Sequence, residues 1–180
     1  GKGDRIPGRV QEMQSLLIKN VEKMAEELLH TAGQSADVKK VCVVGNTAMC
    51  SLFAGISVEN LGRAPFKKSY QGCIRRMGKE LGFSVFAETE VVILPSVEGY
   101  VGADALAVYH YIKEIDDRKN ILAVDVGTNG EILLIGEKNV YACSTAAGPA
   151  LEGGAVVQGM CGTKGAIEEV KLSGAFPRED

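Results

Sequence analysis

Apolar residues recur along the chain at spacings that alternate between those of helices and those of strands. Over residues 10–31 they step by threes and fours, which predicts an amphipathic helix, with Gly33 placed to end it. Short runs rich in β-branched residues predict strands between the helices. The further elements predicted in this part of the chain are a strand over 39–44, helices over 47–54 and 70–81, a strand over 87–94 and a helix over 101–115.

The pattern changes after a polar connector at residues 116–120. Three strands are predicted over 121–126, 131–135 and 139–143, joined by two tight turns. The first turn is expected over residues 127–130 and the second over 136–138, and Asn129-Gly130 is a strong hairpin signal because both residues tolerate a positive φ. A helix to about residue 158 and a strand over 164–172 are expected to follow. This order of elements predicts an α/β fold with mixed β-sheets flanked by helices.

Composition indicates a globular chain and argues against several functions. Hydrophobic residues make up 46% of the 180 residues, the net charge is −3, and the basic residues form no stripe, so no nucleic-acid partner is expected. The longest apolar run, around residues 91–94, is far shorter than the ~20 residues of a membrane-spanning helix, so no membrane role is expected. Five cysteines without a C-x-x-C pair are typical of free thiols in a reducing cytoplasm.

Residues 125–131, with the sequence DVGTNGE, are the main candidate for chemistry. Small residues let the backbone approach a phosphate, whose oxygens the successive amides of Gly127 to Gly130 would bind. Thr128 and Asn129 add side-chain donors. Asp125, at the end of a strand, is placed to hold a hydrated Mg²⁺ and is the candidate catalytic residue. The alternative for this segment alone is a plain hairpin turn.

Two other segments lie at the end of a predicted strand and lead into a predicted helix. The first is Gly45, Asn46 and Thr47, where Thr47 is either an N-cap or a residue of the binding cleft. In the second, the loop from Thr145 to Gly148 is expected to open a helix, whose N-terminus favours anions or ribose hydroxyls. Thr145, Ala147 and Gly148 are the candidate contacts there, and the alternative is a tight strand–helix turn.

The order of a small-residue helix, a connector and a phosphate turn between strands is similar to the sugar kinase, heat-shock chaperone and actin superfamily, with its ribonuclease H-like lobes. Four segments together resemble, more narrowly, the C-terminal ATPase domain of the reductive activators of corrinoid proteins. These segments are 43–49 (VVGNTAM), 61–66 (LGRAPF), 95–104 (PSVEGYVGAD), and 125–131 together with 143–153 (CSTAAGPALEG).

The resemblance implies an actin-like ATPase fold, with residues 1–118 in the first lobe and 119–180 at the start of the second. It implies ATP and Mg²⁺ as ligands, a corrinoid protein as partner, and a homodimer. Such an activator returns inactive Co(II) corrinoid to Co(I), with electrons from a ferredoxin-type iron–sulfur cluster in an N-terminal domain. The chain is expected to be an incomplete fragment without the iron–sulfur, linker and middle domains of the family.

A second Asp-x-Gly-x-Thr loop, which the superfamily uses in its first lobe, is not found upstream of Asp125. The fragment alone is therefore expected to bind ATP weakly and to hydrolyse little or none. The sequence leaves two other classes open, a small-molecule kinase of the same superfamily and a non-catalytic actin-like scaffold. It also leaves open whether Asp104, Glu131 and Glu152 contribute to the site or serve only local structure.

Overall fold

The computed structural model describes residues 8–33, 38–116, 120–127 and 129–146. Helices and strands alternate at first, and an antiparallel meander follows the fourth helix. The elements in chain order are α1 (Arg9–Thr31), β1 (Lys40–Val43), α2 (Thr47–Phe53), a 3-10 turn (Glu59–Gly62), β2 (Ile74–Met77), α3 (Gly78–Leu81), β3 (Glu90–Ile93), α4 (Ala103–Ile115), β4 (Ile121–Val126), β5 (Asn129–Ile135) and β6 (Val140–Ala146).

The first sheet is mixed and has the order β1-β3-β2. β1 is parallel to β3, whereas β2 is antiparallel to it. Its core contains Val91 and Ile93 of the central strand, both fully buried, together with aromatic residues and Ile18 of α1. A central strand that is buried on both faces explains why β3 reads as a continuous apolar run.

Helix α1 is fixed to this core by a buried carboxylate as well as by apolar packing. Glu22, which is 8% exposed, accepts hydrogen bonds from the backbone N–H groups of Ser84 and Val85 at 2.7 and 2.6 Å. A longer bond of 3.4 Å comes from Phe86 N. The loop between α3 and β3 thus obtains partners for its buried amides from a helix more than 60 residues earlier.

The second sheet is antiparallel, with the order β4-β5-β6, and α4 packs on one of its faces. Ala105 of α4 and Leu133 and Ile135 of β5 are buried at this contact. Because side chains alternate across a strand, Leu122 and Val124 point to the opposite face, where they are 63% and 55% exposed. Helix α4 therefore fixes which face of the hairpin is turned towards the first sheet.

The predicted fold class is confirmed, since both sheets are small, one is mixed, and helices flank them. The predicted helices over 10–31, 47–54 and 101–115 are confirmed with small shifts at their ends. The predicted strands are confirmed as β1, β3, β4, β5 and β6, although β6 runs three residues further than expected. Within the described ranges, every helix is either too short or too polar to span a bilayer.

The helix predicted over 70–81 is wrong. Ile74–Met77 is strand β2, antiparallel to β3, and only Gly78–Leu81 is helical. The apparent helical spacing arises because Tyr70 and Leu81 are both buried, although Tyr70 lies in a loop and Leu81 in α3. Backbone pairing with β3 defines the strand, and Arg75 Nη1 also donates a hydrogen bond of 2.7 Å to Glu90 Oε1 of β3.

The first turn of the meander lies within the predicted residues 127–130 but is shorter than expected. Asn129 and Gly130 belong to β5, and Gly130 pairs with Val126, so the chain reverses between these two residues. The second predicted turn is confirmed, with Gly136 N donating to Asn139 O at 2.9 Å. Most of the polar connector at 116–120, the expected helix to residue 158 and the expected strand over 164–172 lie outside the described residues.

Candidate functional site

A cleft of about 380 Å³ lies between the two sheets, and both contribute to its walls. One wall is the turn between β1 and α2, and the other is the end of the β4–β5 hairpin, with the first turn of α4 beside them. The residues that line it are Val44, Gly45, Asn46, Met49, Asp104, Asp125, Gly127, Asn129 and Glu131.

The hairpin wall carries a polar row across three strands. Asp125 of β4 pairs directly with Glu131 of β5, which pairs with Ser144 of β6. Directly opposed residues of antiparallel strands point to the same face, so all three side chains lie on the side that α4 covers. Ser144 Oγ donates a hydrogen bond of 3.1 Å to Glu131 Oε1, and Glu131 is only 5% exposed.

The carboxylates of Asp104, Asp125 and Glu131 make this part of the cleft acidic. Burial raises the pKa of Glu131 above its ordinary value, and the charges of Asp104 and Asp125 raise it further, while the Ser144 hydrogen bond opposes the shift. The carboxylates of Asp104 and Asp125 therefore add negative charge around Glu131. A bound divalent cation would relieve this repulsion.

The opposite wall is the turn that follows β1. Asn46 is the N-cap of α2, because its side-chain oxygen accepts a hydrogen bond of 2.9 Å from Met49 N. Of the two roles left open for Thr47, N-cap is therefore wrong. Thr47 is fully buried behind this wall rather than lining it, and its hydroxyl oxygen has no hydrogen-bond partner among the described residues.

The carbonyl oxygen of Gly45 joins this turn to α4. It accepts hydrogen bonds from Ala103 N at 2.9 Å and Asp104 N at 3.4 Å. It also accepts a hydrogen bond of 3.4 Å from Cys50 Sγ. Burial raises the pKa of the Cys50 thiol to about 11, so at neutral pH the thiol keeps the proton that it donates.

The structure brings together five of the predicted site residues from distant parts of the sequence. Asp125, Gly127 and Asn129 lie on the hairpin side of the cleft, and Gly45 and Asn46 lie on the other. Three further candidates, Thr128, Ala147 and Gly148, lie outside the described residues, as does Glu152.

Two predicted contacts lie elsewhere than expected. Thr145 belongs to β6 and pairs with Gly130, so the expectation that it begins a loop into a helix is wrong. Both residues point to the face of the sheet opposite Glu131. A Cβ atom on Gly130 would lie 3.2 Å from Thr145 Cγ2, a tight contact between the two strands. Their contact with nucleotide stays a prediction.

Sequence reasoning left Asp104 and Glu131 undecided, and both line the cleft. For Asp104 the available signal was an acidic residue in the first turn of a helix that begins with small residues, Gly102 and Ala103. For Glu131 the signal was its place opposite Asp125 in a hairpin, which follows from the strand register. Neither signal shows that Asp104 and Glu131 share a cleft with the β1–α2 turn.

The donor set of the cleft fits a hydrated magnesium ion. Carboxylate oxygens are the ligands that Mg²⁺ prefers, and it usually retains several waters. Among the described residues, no three His, Cys, Asp or Glu groups are close enough together to hold a metal ion directly. The carboxylates of Asp104, Asp125 and Glu131 nevertheless share one cleft, which favours contact through water.

Two family models together match almost the entire chain. Residues 119–177 match the model described as the C-terminal domain of RACo, the ASKHA domain. Residues 4–117 match the model described as the RACo middle region. The chain therefore belongs to the RACo family, the reductive activators of corrinoid proteins, as the sequence motifs predict.

Similar proteins carry related names. The chain is 38% identical over 134 residues to the corrinoid activation enzyme RamQ of Eubacterium limosum, a match to 74% of this chain and 22% of that protein. It is 31% identical over 151 residues to the [Co(II) methylated amine-specific corrinoid protein] reductase of Methanosarcina barkeri, covering 78% of this chain and 28% of that protein. A solved structure of a reductive activator for corrinoid, iron–sulfur protein matches 94% of this chain with a TM-score of 0.76 and 27% identity.

These matches also limit and correct the predictions. The chain spans about a quarter of the length of the relatives, since it covers 27% of the solved structure. The expectation that the middle domain is absent is wrong, because residues 4–117 match the middle region. The two matched ranges meet at residue 118. Assignment of residues 1–118 to a first actin-like lobe stays a prediction.

Proposed function

We propose that the chain is the nucleotide-binding part of an ATP-dependent activator that returns a Co(II) corrinoid protein to Co(I). The observation that carries the proposal is the cleft itself. In a member of the RACo family, it brings the Asp125 turn and the Gly45–Asn46 turn together from two different sheets. A cleft that combines carboxylates with turns from two sheets suits a magnesium–nucleotide complex.

In this proposal each wall has a separate task. Asp125 holds the hydrated Mg²⁺, which neutralises phosphate charge when it is bound. The turn from Gly127 to Gly130 is proposed to bind phosphate oxygens, with the side chains of Thr128 and Asn129 as donors. Gly45 and Asn46 face the ligand from the other wall. Glu131 is held by Ser144 Oγ at 3.1 Å and orients water near the metal.

Nucleotide binding is proposed to act through the relative position of the two walls. A ligand shifts a conformational equilibrium only by binding one arrangement more tightly than the other. A nucleotide in contact with turns from two sheets binds most tightly when both turns are close, so its free energy of binding favours the closed arrangement. That change is proposed to help an otherwise unfavourable electron transfer to cobalt.

The remaining parts of the proposal rest on the family. Electrons are proposed to come from a ferredoxin-type iron–sulfur cluster carried outside these 180 residues, and the product Co(I) corrinoid to accept methyl groups. The activator is proposed to act as a homodimer in the cytoplasm of an anaerobic organism. Sedimentation of the full-length protein tests the dimer, and a monomer at micromolar concentration would contradict it.

The decisive variant is Asp125→Ala in the full-length protein, tested for ATP-dependent reduction of a Co(II) corrinoid protein. We expect activation to be lost while the iron–sulfur cluster remains reducible, because only the nucleotide site is damaged. Glu114→Ala is the matched control, since Glu114 is an exposed carboxylate near the C-terminal end of α4 and does not line the cleft. Unimpaired activation by Asp125→Ala would refute the assignment.

A further inference from the structure

Glycine at position 102 allows α4 to approach the β1–α2 turn more closely than any other residue would. A Cβ atom on Gly102 would overlap the carbonyl oxygen of Gly45 and would lie 2.5 Å from Asn46 Cα. The φ angle of Gly102 is −91°, which any residue adopts, so space rather than backbone conformation requires glycine here. A third atom, the side-chain Oδ1 of Asp104, would lie 2.7 Å away, and all three atoms belong to residues that line the cleft.

This approach lets one carbonyl group cap the helix. Gly102 is the N-cap residue of α4 and has no side chain with which to satisfy the first amides. The Gly45 carbonyl oxygen takes that role for Ala103 N at 2.9 Å and Asp104 N at 3.4 Å. The Asp104 side chain also accepts a hydrogen bond of 2.8 Å from Ala105 N, which restricts its direction.

The same helix also packs against β5, which belongs to the hairpin wall of the cleft. Ala103 and Ala105 are fully buried, and Ala105 packs with Leu133 and Ile135 of β5. Glu131, on the same strand and the same face, is therefore fixed relative to α4 through this packing. The hydrogen bonds from the start of α4 to Gly45 O thus link the β1–α2 turn, through α4, to the hairpin wall of the cleft.

We infer that Gly102 is a positioning residue for the cleft, through the capping of α4 by the Gly45 carbonyl. The contact sets the distance between the Asn46 turn and the carboxylates of Asp104, Asp125 and Glu131. This inference rests on the proposed nucleotide function. A side chain at position 102 would move α4 away from the turn and widen the cleft, so that a nucleotide would no longer contact both walls.

The test compares Gly102→Ala with Gly78→Ala in the full-length protein. Gly78 is also buried, and a Cβ atom there would overlap the carbonyl oxygen of Phe86, far from the cleft lining. Both variants should lower the melting temperature, because each forces backbone to move. Isothermal titration should show Mg-ATP affinity at least about tenfold weaker for Gly102→Ala alone, since displacements of about 1 Å at a site carry large penalties.

A measurement on the wild-type protein covers the case in which Gly102→Ala fails to fold. Hydrogen exchange at the amides of Ala103 and Asp104 should slow when Mg-ATP binds, whereas exchange at Gly82 N, which bonds to Gly78 O at 3.0 Å, should not change. Unchanged exchange at the amides of Ala103 and Asp104, or wild-type affinity for Mg-ATP in Gly102→Ala, would overturn this inference but not the proposed function. Failure of the wild-type protein to bind Mg-ATP would overturn the proposed function, and this inference with it.

Discussion

Replacing Glu22 by alanine removes the carboxylate that joins α1 to the loop between α3 and β3. Its Oε1 atom accepts two short bonds, of 2.7 and 2.6 Å, from Ser84 N and Val85 N, and a longer one from Phe86 N. In the variant these amides have no replacement acceptor from α1. The consequence is local because the affected groups lie in one loop.

The two short bonds set the size of the effect. A hydrogen bond to a charged group contributes about 1.5–3 kcal/mol, so their loss costs about 3–6 kcal/mol. Glu22→Gln keeps an acceptor oxygen but loses the charge, and neutral bonds contribute about 0.5–1.5 kcal/mol each. The glutamine variant should therefore lose about 2–3 kcal/mol.

Hydrogen exchange of the full-length protein measures this loop directly. Since about 1.4 kcal/mol corresponds to a factor of ten, the amides of residues 84 and 85 should exchange at least about 100-fold faster in Glu22→Ala. In Glu22→Gln the increase should be about ten- to hundredfold. Glu26→Ala, at an exposed position one turn further along α1, serves as the control and should leave these amides unchanged.

Unchanged exchange at residues 84 and 85 in Glu22→Ala would refute the reasoning, because it would mean that another group satisfies these amides. An equal effect of the alanine and glutamine variants would refute only the part assigned to charge.

Two further predictions concern residues at or behind the cleft. The raised pKa of Glu131 means that the folded state holds this proton more tightly than the unfolded state, so its contribution to stability is complete below the unfolded pKa and is lost as pH rises through the folded pKa. Glu131→Gln should therefore melt at a higher temperature than wild type at pH 7 and show a flatter pH dependence, and a lower melting temperature at pH 7 would contradict this. Thr47→Val removes a buried hydroxyl that has no partner among the described residues, and thermal melts should show a gain of about 1 kcal/mol. A loss of stability in Thr47→Val would show that the hydroxyl has a partner.

Hydrophobic periodicity predicted those helices and strands that bury one face along their length. Apolar residues recur every three or four positions along α1, and burial alternates from residue to residue along β4, because each element buries one face. The four-residue strand β2 has no such pattern, since its burial does not alternate and its pairing partner is β3. Non-local pairing of this kind is invisible to periodicity.

The sequence indicated candidate residues on both sides of the cleft, but not that the Asp125 turn and the Gly45–Asn46 turn meet across it. Asp125 and Gly127 stand out because a strand ends at a short, glycine-containing turn. The turn preference of Asn129 and Gly130 was overridden by strand register, which pairs Asn129 with Ala146 of β6. Asp104 reaches the cleft through a backbone contact with Gly45, and a contact between distant backbone atoms leaves no periodic signal in the sequence.

Titration of the full-length protein with ATP, in the presence and absence of Mg²⁺, tests most directly whether this cleft is a magnesium–nucleotide site. The account predicts saturable binding that requires Mg²⁺ and is at least about tenfold weaker in Asp125→Ala, because this carboxylate holds the hydrated ion. Binding of equal affinity in wild type and Asp125→Ala, or binding indifferent to Mg²⁺, would contradict it.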